Sequence, residues 1–161
     1  MKIKMGGEYG ITLFEMLVMS VVLGVLSLFL FDRVLTYQEM AEKSAVDMTI
    51  MNMRTGLRYQ MADYLVQNQD QKIAGLVGQN PVKWLVTPPP NYLGETQGQP
   101  EKEIARGNWY FDTNMRELCY SVDKGRNFVP AQSNQQILCV HIALLSKGVV
   151  GLTPVTQYRW F

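Results

Sequence analysis

The sequence predicts an α+β chain in which one long N-terminal helix, its first half able to span a membrane, packs on a small C-terminal antiparallel β-sheet. Three observations carry that prediction. Ile11 to Phe31 is an apolar run of 21 residues, about the length of a bilayer-spanning helix, with one carboxylate, Glu15, inside it. No proline occurs between Met1 and Asn80, and from Val34 apolar residues recur at helical spacing. After Gly107 the chain breaks into short segments in which apolar and polar residues alternate.

Five segments follow from this pattern: a leader over 1–10, a transmembrane helix over 11–31, an amphipathic continuation over 32–67, a Pro/Gly-rich connection over 68–107 and a sheet region over 108–161. In the leader, Lys2 and Lys4 outweigh Glu8. Basic residues beside a first apolar segment stay in the cytoplasm, so the bulk of the chain is expected outside. A secretory signal fits poorly. Its apolar core is shorter and a small-residue cleavage site follows it, whereas Phe29-Leu30-Phe31-Asp32-Arg33 follows here.

Beyond the apolar run, Val34, Tyr37, Ala41, Ala45, Met48, Met51, Thr55, Tyr59, Ala62 and Leu65 or Val66 mark one face of a helix that backs the external domain. Gln38, Glu42, Lys43, Asp47, Arg54, Arg58 and Asp63 make the other face polar. The spacing predicts a helix from about Thr12 to about Gln67, on the order of 80 Å at 1.5 Å per residue, with Gly24 and Gly56 as places to bend. Met16, Met19, Met40, Met48, Met51, Met53 and Met61 all lie in it. Such a concentration points to adaptable packing surfaces rather than to a metal site, for which no clustered ligands stand nearby.

Pro88-Pro89-Pro90 makes the connection stiff and extended. Trp84 and Leu85 before it, and Tyr92 and Leu93 after it, are expected to pin it against the helix. Strands are predicted at Asn108–Asp112 and Leu118–Asp123, joined by a hairpin-length turn over 113–117, then at Gln136–Leu144 and Val155–Phe161, with a polar loop over 124–134. Three or four strands against one helix make a two-layer unit that needs the helix to complete its core.

Strand alternation puts Cys119 and Cys139 on the face opposite the more apolar one. If the two strands are neighbours the cysteines meet, and in an oxidising compartment a disulfide between them follows; the alternative is two unpaired thiols. Such a bond, closing a loop of about 20 residues, would contribute roughly 3 kcal/mol. The separation rules out a CxxC redox or zinc motif. His141, the sole histidine, shares the cysteine face and is expected to be exposed or to flank the bond. Asp112, Glu117 and Asp123 lack the dense spacing of a calcium loop, so no metal and no cofactor is expected.

Charge and motifs narrow the function classes further. Removal of the leader takes Lys+Arg from 15 to 13 and Asp+Glu from 14 to 13, leaving a neutral chain that does not point to nucleic acid. Arg116, Lys124 and Arg126 read as a solvated face. No phosphate-cradling loop, nucleophile–base arrangement or internal repeat is present, so an enzyme is not expected.

Gly10, Ile11, Thr12, Leu13, Phe14 and Glu15, set between a basic leader and an apolar helix, resemble the signature of the type IV pilin and type II secretion pseudopilin superfamily. The resemblance implies a pilin-like fold and cleavage after Gly10 by a prepilin peptidase, which also methylates the new amine of Ile11. Ile11 is a mild departure, since the family more often has Phe or Met there. Glu15 lies one helical turn beyond that amine and would offset it, in its own chain or in a neighbouring subunit, fixing axial register. The other reading of Glu15 is a carboxylate that snorkels or stays protonated. Asp32-Arg33 stands where many pilins carry a helix-breaking proline, so the unwinding that proline permits does not carry over.

The implied partners are the peptidase, other pilin or pseudopilin subunits through the N-terminal helix, and an inner-membrane assembly platform. Ser20, Gly24 and Ser27 would allow close helix approach. The implied location is the bacterial inner membrane, N-terminus cytoplasmic and C-terminal domain periplasmic, before assembly into a pilus or pseudopilus. Gly75–Leu85 and Pro88–Glu95 are similar to minor pilin-like proteins of mannose-sensitive-haemagglutinin-type pili. The competing expectations are a type II secretion pseudopilin, an unassembled bitopic protein with a periplasmic binding domain and, given a basic stripe on the sheet, a DNA-uptake pilin.

Overall fold

The computed structural model describes residues 12–98, 104–131, 136–146, 148–155 and 157–161. The chain is α+β: one long helix, α1 (Leu13–Val66), precedes seven strands. It falls into two compact units, one ending at Gln38 and one running from Glu39 to Phe161. From Leu13 onward the first unit is helical. Among the described residues, α1 is the one helix long and apolar enough to cross a membrane, and its most apolar window buries nothing within the chain.

In the second unit α1 ends where its sequence demands. Asn68 takes a left-handed conformation (φ 54°), and the amides of Asn68 and Gln69 return to the carbonyls of Leu65 and Tyr64 at 3.1 and 2.8 Å. Asn is the commonest substitute for glycine at such a cap. Two short 3-10 turns follow, Asp70–Leu76 and Pro81–Trp84. The second opens with Asn80, whose side chain accepts from the Val82 amide, and with a proline in the first turn. Trp84 then lies against Gly56, where an added Cβ would stand 2.7 Å from the Trp84 carbonyl oxygen.

The main sheet has the order β1 (Tyr92–Thr96), β2 (Trp109–Asp112), β3 (Glu117–Ser121), β5 (Ile137–Ser146) and β6 (Val149–Pro154). All neighbours are antiparallel except β1 and β2, which run parallel. The β2–β3 turn is tied by Asp112, whose Oδ1 accepts from the amides of Asn114 and Met115. A separate two-stranded ribbon pairs β4 (Phe128–Pro130) with β7 (Tyr158–Trp160). Phe128 meets Trp160 edge-on at 5.2 Å and stacks on Tyr158 at 5.5 Å.

Alternation sends Trp109, Phe111, Leu118, Tyr120, Leu138, Val140, Ile142, Val150 and Leu152 to one core, which Val46, Ile50, Met53 and Leu57 of α1 complete. Each such side chain contributes about 1.5–3 kcal/mol when fully buried. Ile104, Tyr110 and Cys119 form a smaller cluster on the sheet's other face, with Ile137 and Cys139 against it.

Several expectations need correction. The apolar stripe singled out by spacing is not the side of α1 that meets the sheet. Met48, Met51 and Tyr59 lie exposed, while a second stripe, Val46-Ile50-Met53-Leu57, is buried. The sheet is mixed rather than wholly antiparallel, because β1 joins it in parallel. The polar loop over 124–134 contains β4, and the strand expected at Val155–Phe161 shortens to β7 and pairs with β4 outside the main sheet. Leu93 does not pin the connection: it is exposed, whereas Trp84, Leu85 and Tyr92 pack on the core.

Candidate functional site

The expected processing site, Gly10 and Ile11, lies outside the described residues. Thr12 and Glu15 are described, and they form a reciprocal cap. The Thr12 amide and hydroxyl donate to Glu15 Oε2 at 2.8 and 2.9 Å, and the Glu15 amide donates back to Thr12 Oγ1 at 3.2 Å. This is the capping box of a Thr-x-x-Glu string, a signal present in the sequence and absent from the expectations above. In the single chain Glu15 therefore has a local role at the start of α1.

The surface that follows is apolar and unpartnered. From Leu13 to Phe31 every residue is exposed. Ser20 and Ser27 turn their hydroxyls back onto the carbonyls of Met16 and Leu23 at 2.8 and 2.7 Å, so both present apolar surface outward. An added Cβ at Gly24 would meet nothing within 4 Å, which leaves room there for close approach. In the second unit, Met40, Met48, Met51, Tyr59 and Val66 are likewise exposed along α1.

Glu39 and Glu42, one turn apart on α1, anchor the segment after β3. Glu39 is 2% exposed; its Oε1 accepts from the Asn127 amide at 2.6 Å and from Trp160 Nε1 at 3.1 Å, and its Oε2 from Asn127 Nδ2 at 2.8 Å. Glu42 accepts from the Tyr120 hydroxyl at 3.0 Å and from the amides of Asp123 and Lys124 at 2.8 and 2.6 Å. Burial holds the Tyr120 hydroxyl above its ordinary pKa, and the Glu42 carboxylate raises it further. Sequence reading placed Glu42 on the polar face and passed over Glu39. No local signal marks them, because their donors lie 78 to 121 positions away along the chain.

Cys119 and Cys139 are register partners on β3 and β5 and form a disulfide, with Cα atoms 4.1 Å apart. Among the described residues no cysteine is free. His141 is half-buried two residues beyond Cys139 on the same face, flanking the bond. Burial raises the pKa of the nearby Glu117 carboxyl above its ordinary value.

Among the described residues, these parts present an exposed apolar helix surface, a capped helix start and a disulfide-linked sheet. Compared with family models, curated proteins and solved structures, the chain matches none.

Proposed function

We propose that this chain is a structural subunit, a minor pilin or pilin-like protein, of a type IV pilus-type fibre. It is made as a precursor, cut between Gly10 and Ile11 by a prepilin peptidase, and held in the inner membrane by its N-terminal helix. It is then assembled by packing of that helix against those of other subunits. The observation that carries this reading is the exposed apolar surface of Leu13–Phe31 directly behind the Gly10-Ile11-Thr12-Leu13-Phe14-Glu15 string. Helices with such a surface require lipid or one another as surroundings. The long helix with a small C-terminal sheet is compatible with a pilin-like shape, and the Cys119–Cys139 bond suits an oxidising compartment. A type II secretion pseudopilin shares these features; the 75–95 segment favours the pilus.

Intact mass and N-terminal sequence, with and without a co-expressed prepilin peptidase, test the proposal. The expected result is loss of residues 1–10 and gain of one methyl group on Ile11 only with the peptidase. A chain beginning at Met1 in both cases sinks the proposal and leaves an unassembled bitopic protein in front. A chain that is cut but whose Glu15→Ala variant assembles normally retains the class and removes the register role.

A further inference from the structure

The stretch 48–53 of α1 sets three methionines in opposite surroundings. Met48 and Met51 stand three apart on one face of the helix and are 66% and 64% exposed. Met53, two residues further and about 200° round the helix at about 3.6 residues per turn, is 0% exposed and belongs to the core. Met40, three turns before Met51, is exposed as well and continues the outer row.

A second observation bears on what this row can do. Both cysteines of the chain are held in the Cys119–Cys139 bond. No thiolate therefore competes for an oxidant, and the exposed thioethers are the most readily oxidised sulfurs left. The same bond suits a compartment in which oxidants are present. Oxidation turns methionine from a flexible apolar side chain into a polar one, so two such events would interrupt the apolar outer side of α1 while leaving the inner side intact.

We propose that Met48 and Met51 form a reversible oxidation site whose substrate is a hydroperoxide, with Met53 spared by the core. The thioether sulfur attacks the terminal peroxide oxygen; an S–O bond forms and the O–O bond breaks. Sulfur gives up two electrons, and the departing oxygen takes the peroxide's proton and leaves as an alcohol or as water. A dithiol-dependent methionine sulfoxide reductase reverses the change, releasing the oxygen as water while the dithiol closes to a disulfide. The consequence for assembly, loss of packing through the outer side of α1, rests on the fibre reading above; the site itself does not.

The test treats the full chain in detergent with hydrogen peroxide and then cuts it with trypsin. Cleavage after Lys43 and Arg54 places Met48, Met51 and Met53 in one peptide, 44–54. The expected result is two added oxygens, at Met48 and Met51, gained at a rate near that of Met115, which is 70% exposed on the β2–β3 turn. Met53 should react at least about tenfold more slowly in the folded chain and as fast as its neighbours in guanidinium. Equal reactivity of the three in the folded chain overturns the site. A second measurement reads crosslinking between copies in cells carrying the assembly machinery. Peroxide should lower it in the wild type and leave it unchanged in Met48→Leu/Met51→Leu, whose side chains stay apolar. A loss in both, or in neither, overturns the effect on packing. Absence of crosslinks before peroxide counts against the fibre reading, and the peptide masses still decide the site.

Discussion

Between Glu39 and Val66 the two sides of α1 carry similar side chains and meet different surroundings. Val46, Ile50, Met53 and Leu57 are buried against the sheet, while Met48, Met51, Tyr59 and Val66 stand in solvent. Hydrophobicity does not separate them. What separates them is what lies beside each stripe. Gly56 admits the Trp84 backbone on the inner flank, and Glu39 and Glu42 receive amides and hydroxyls from strands and turns far along the chain. The fold covers one apolar side of this helix and leaves the other exposed.

The inner stripe should show the largest effect on stability. Met53 is completely buried, and Met53→Ala should cost about 2–5 kcal/mol through lost contacts and a residual cavity. Guanidinium unfolding of the full chain in detergent, followed by tryptophan circular dichroism, reads this directly. A loss below the cost of an ordinary surface change would mean that the sheet is not held by this stripe.

Glu39→Ala should come next, at roughly 3 kcal/mol, because it leaves the Asn127 amide, Asn127 Nδ2 and Trp160 Nε1 without an acceptor. Glu39→Gln keeps acceptor capacity through its one remaining oxygen and should cost less. Hydrogen exchange at the Asn127 amide separates the two variants: fast in Ala, slowed in Gln. Equal exchange in both would show that Glu39 acts only by filling space.

A smaller effect is expected at high pH. The folded state holds the Tyr120 hydroxyl protonated above its ordinary pKa. Its contribution is therefore fully present below the unfolded value near 10 and is lost as pH rises beyond it, because the unfolded chain releases the proton first. Tyr120→Phe removes that ionisation and should flatten the alkaline decline in stability. An unchanged alkaline slope would assign the decline to other groups, Tyr158 among them.

The features legible in the sequence are those set by short-range rules. The helix expected over Thr12–Gln67 runs from Leu13 to Val66, since a proline-free apolar period and an asparagine able to turn left-handed determine it locally. The face of the two cysteines was legible because alternation fixes it, whereas the pairing of β3 with β5 that brings them together was not. β1 and β6 were not legible. Gly94 and Glu95 interrupt the first, Gly151 and Pro154 the second, and each is held by its neighbour strand rather than by its own propensity. The role of Glu39 was beyond any local reading, because a carboxylate on a helix looks the same whether water or Trp160 faces it. The Thr12–Glu15 cap, by contrast, stood in plain view as Thr-x-x-Glu.

The outer stripe decides the comparison with the smallest expected number. In the single chain, Met51→Ala and Tyr59→Ala should each change stability by less than about 0.5 kcal/mol, because both side chains already stand in solvent. In cells carrying the assembly machinery, the same substitutions should reduce crosslinking between copies of the chain if this side packs on other subunits. Neutral stability with lost crosslinking would give the outer stripe an intermolecular role equal to the inner stripe's intramolecular one. Neutral stability with full crosslinking would confine assembly to Leu13–Phe31 and leave the outer stripe as tolerated exposure. A destabilisation comparable to Met53→Ala would erase the distinction between the two sides, because it would require Met51 and Tyr59 to be packed within the folded chain.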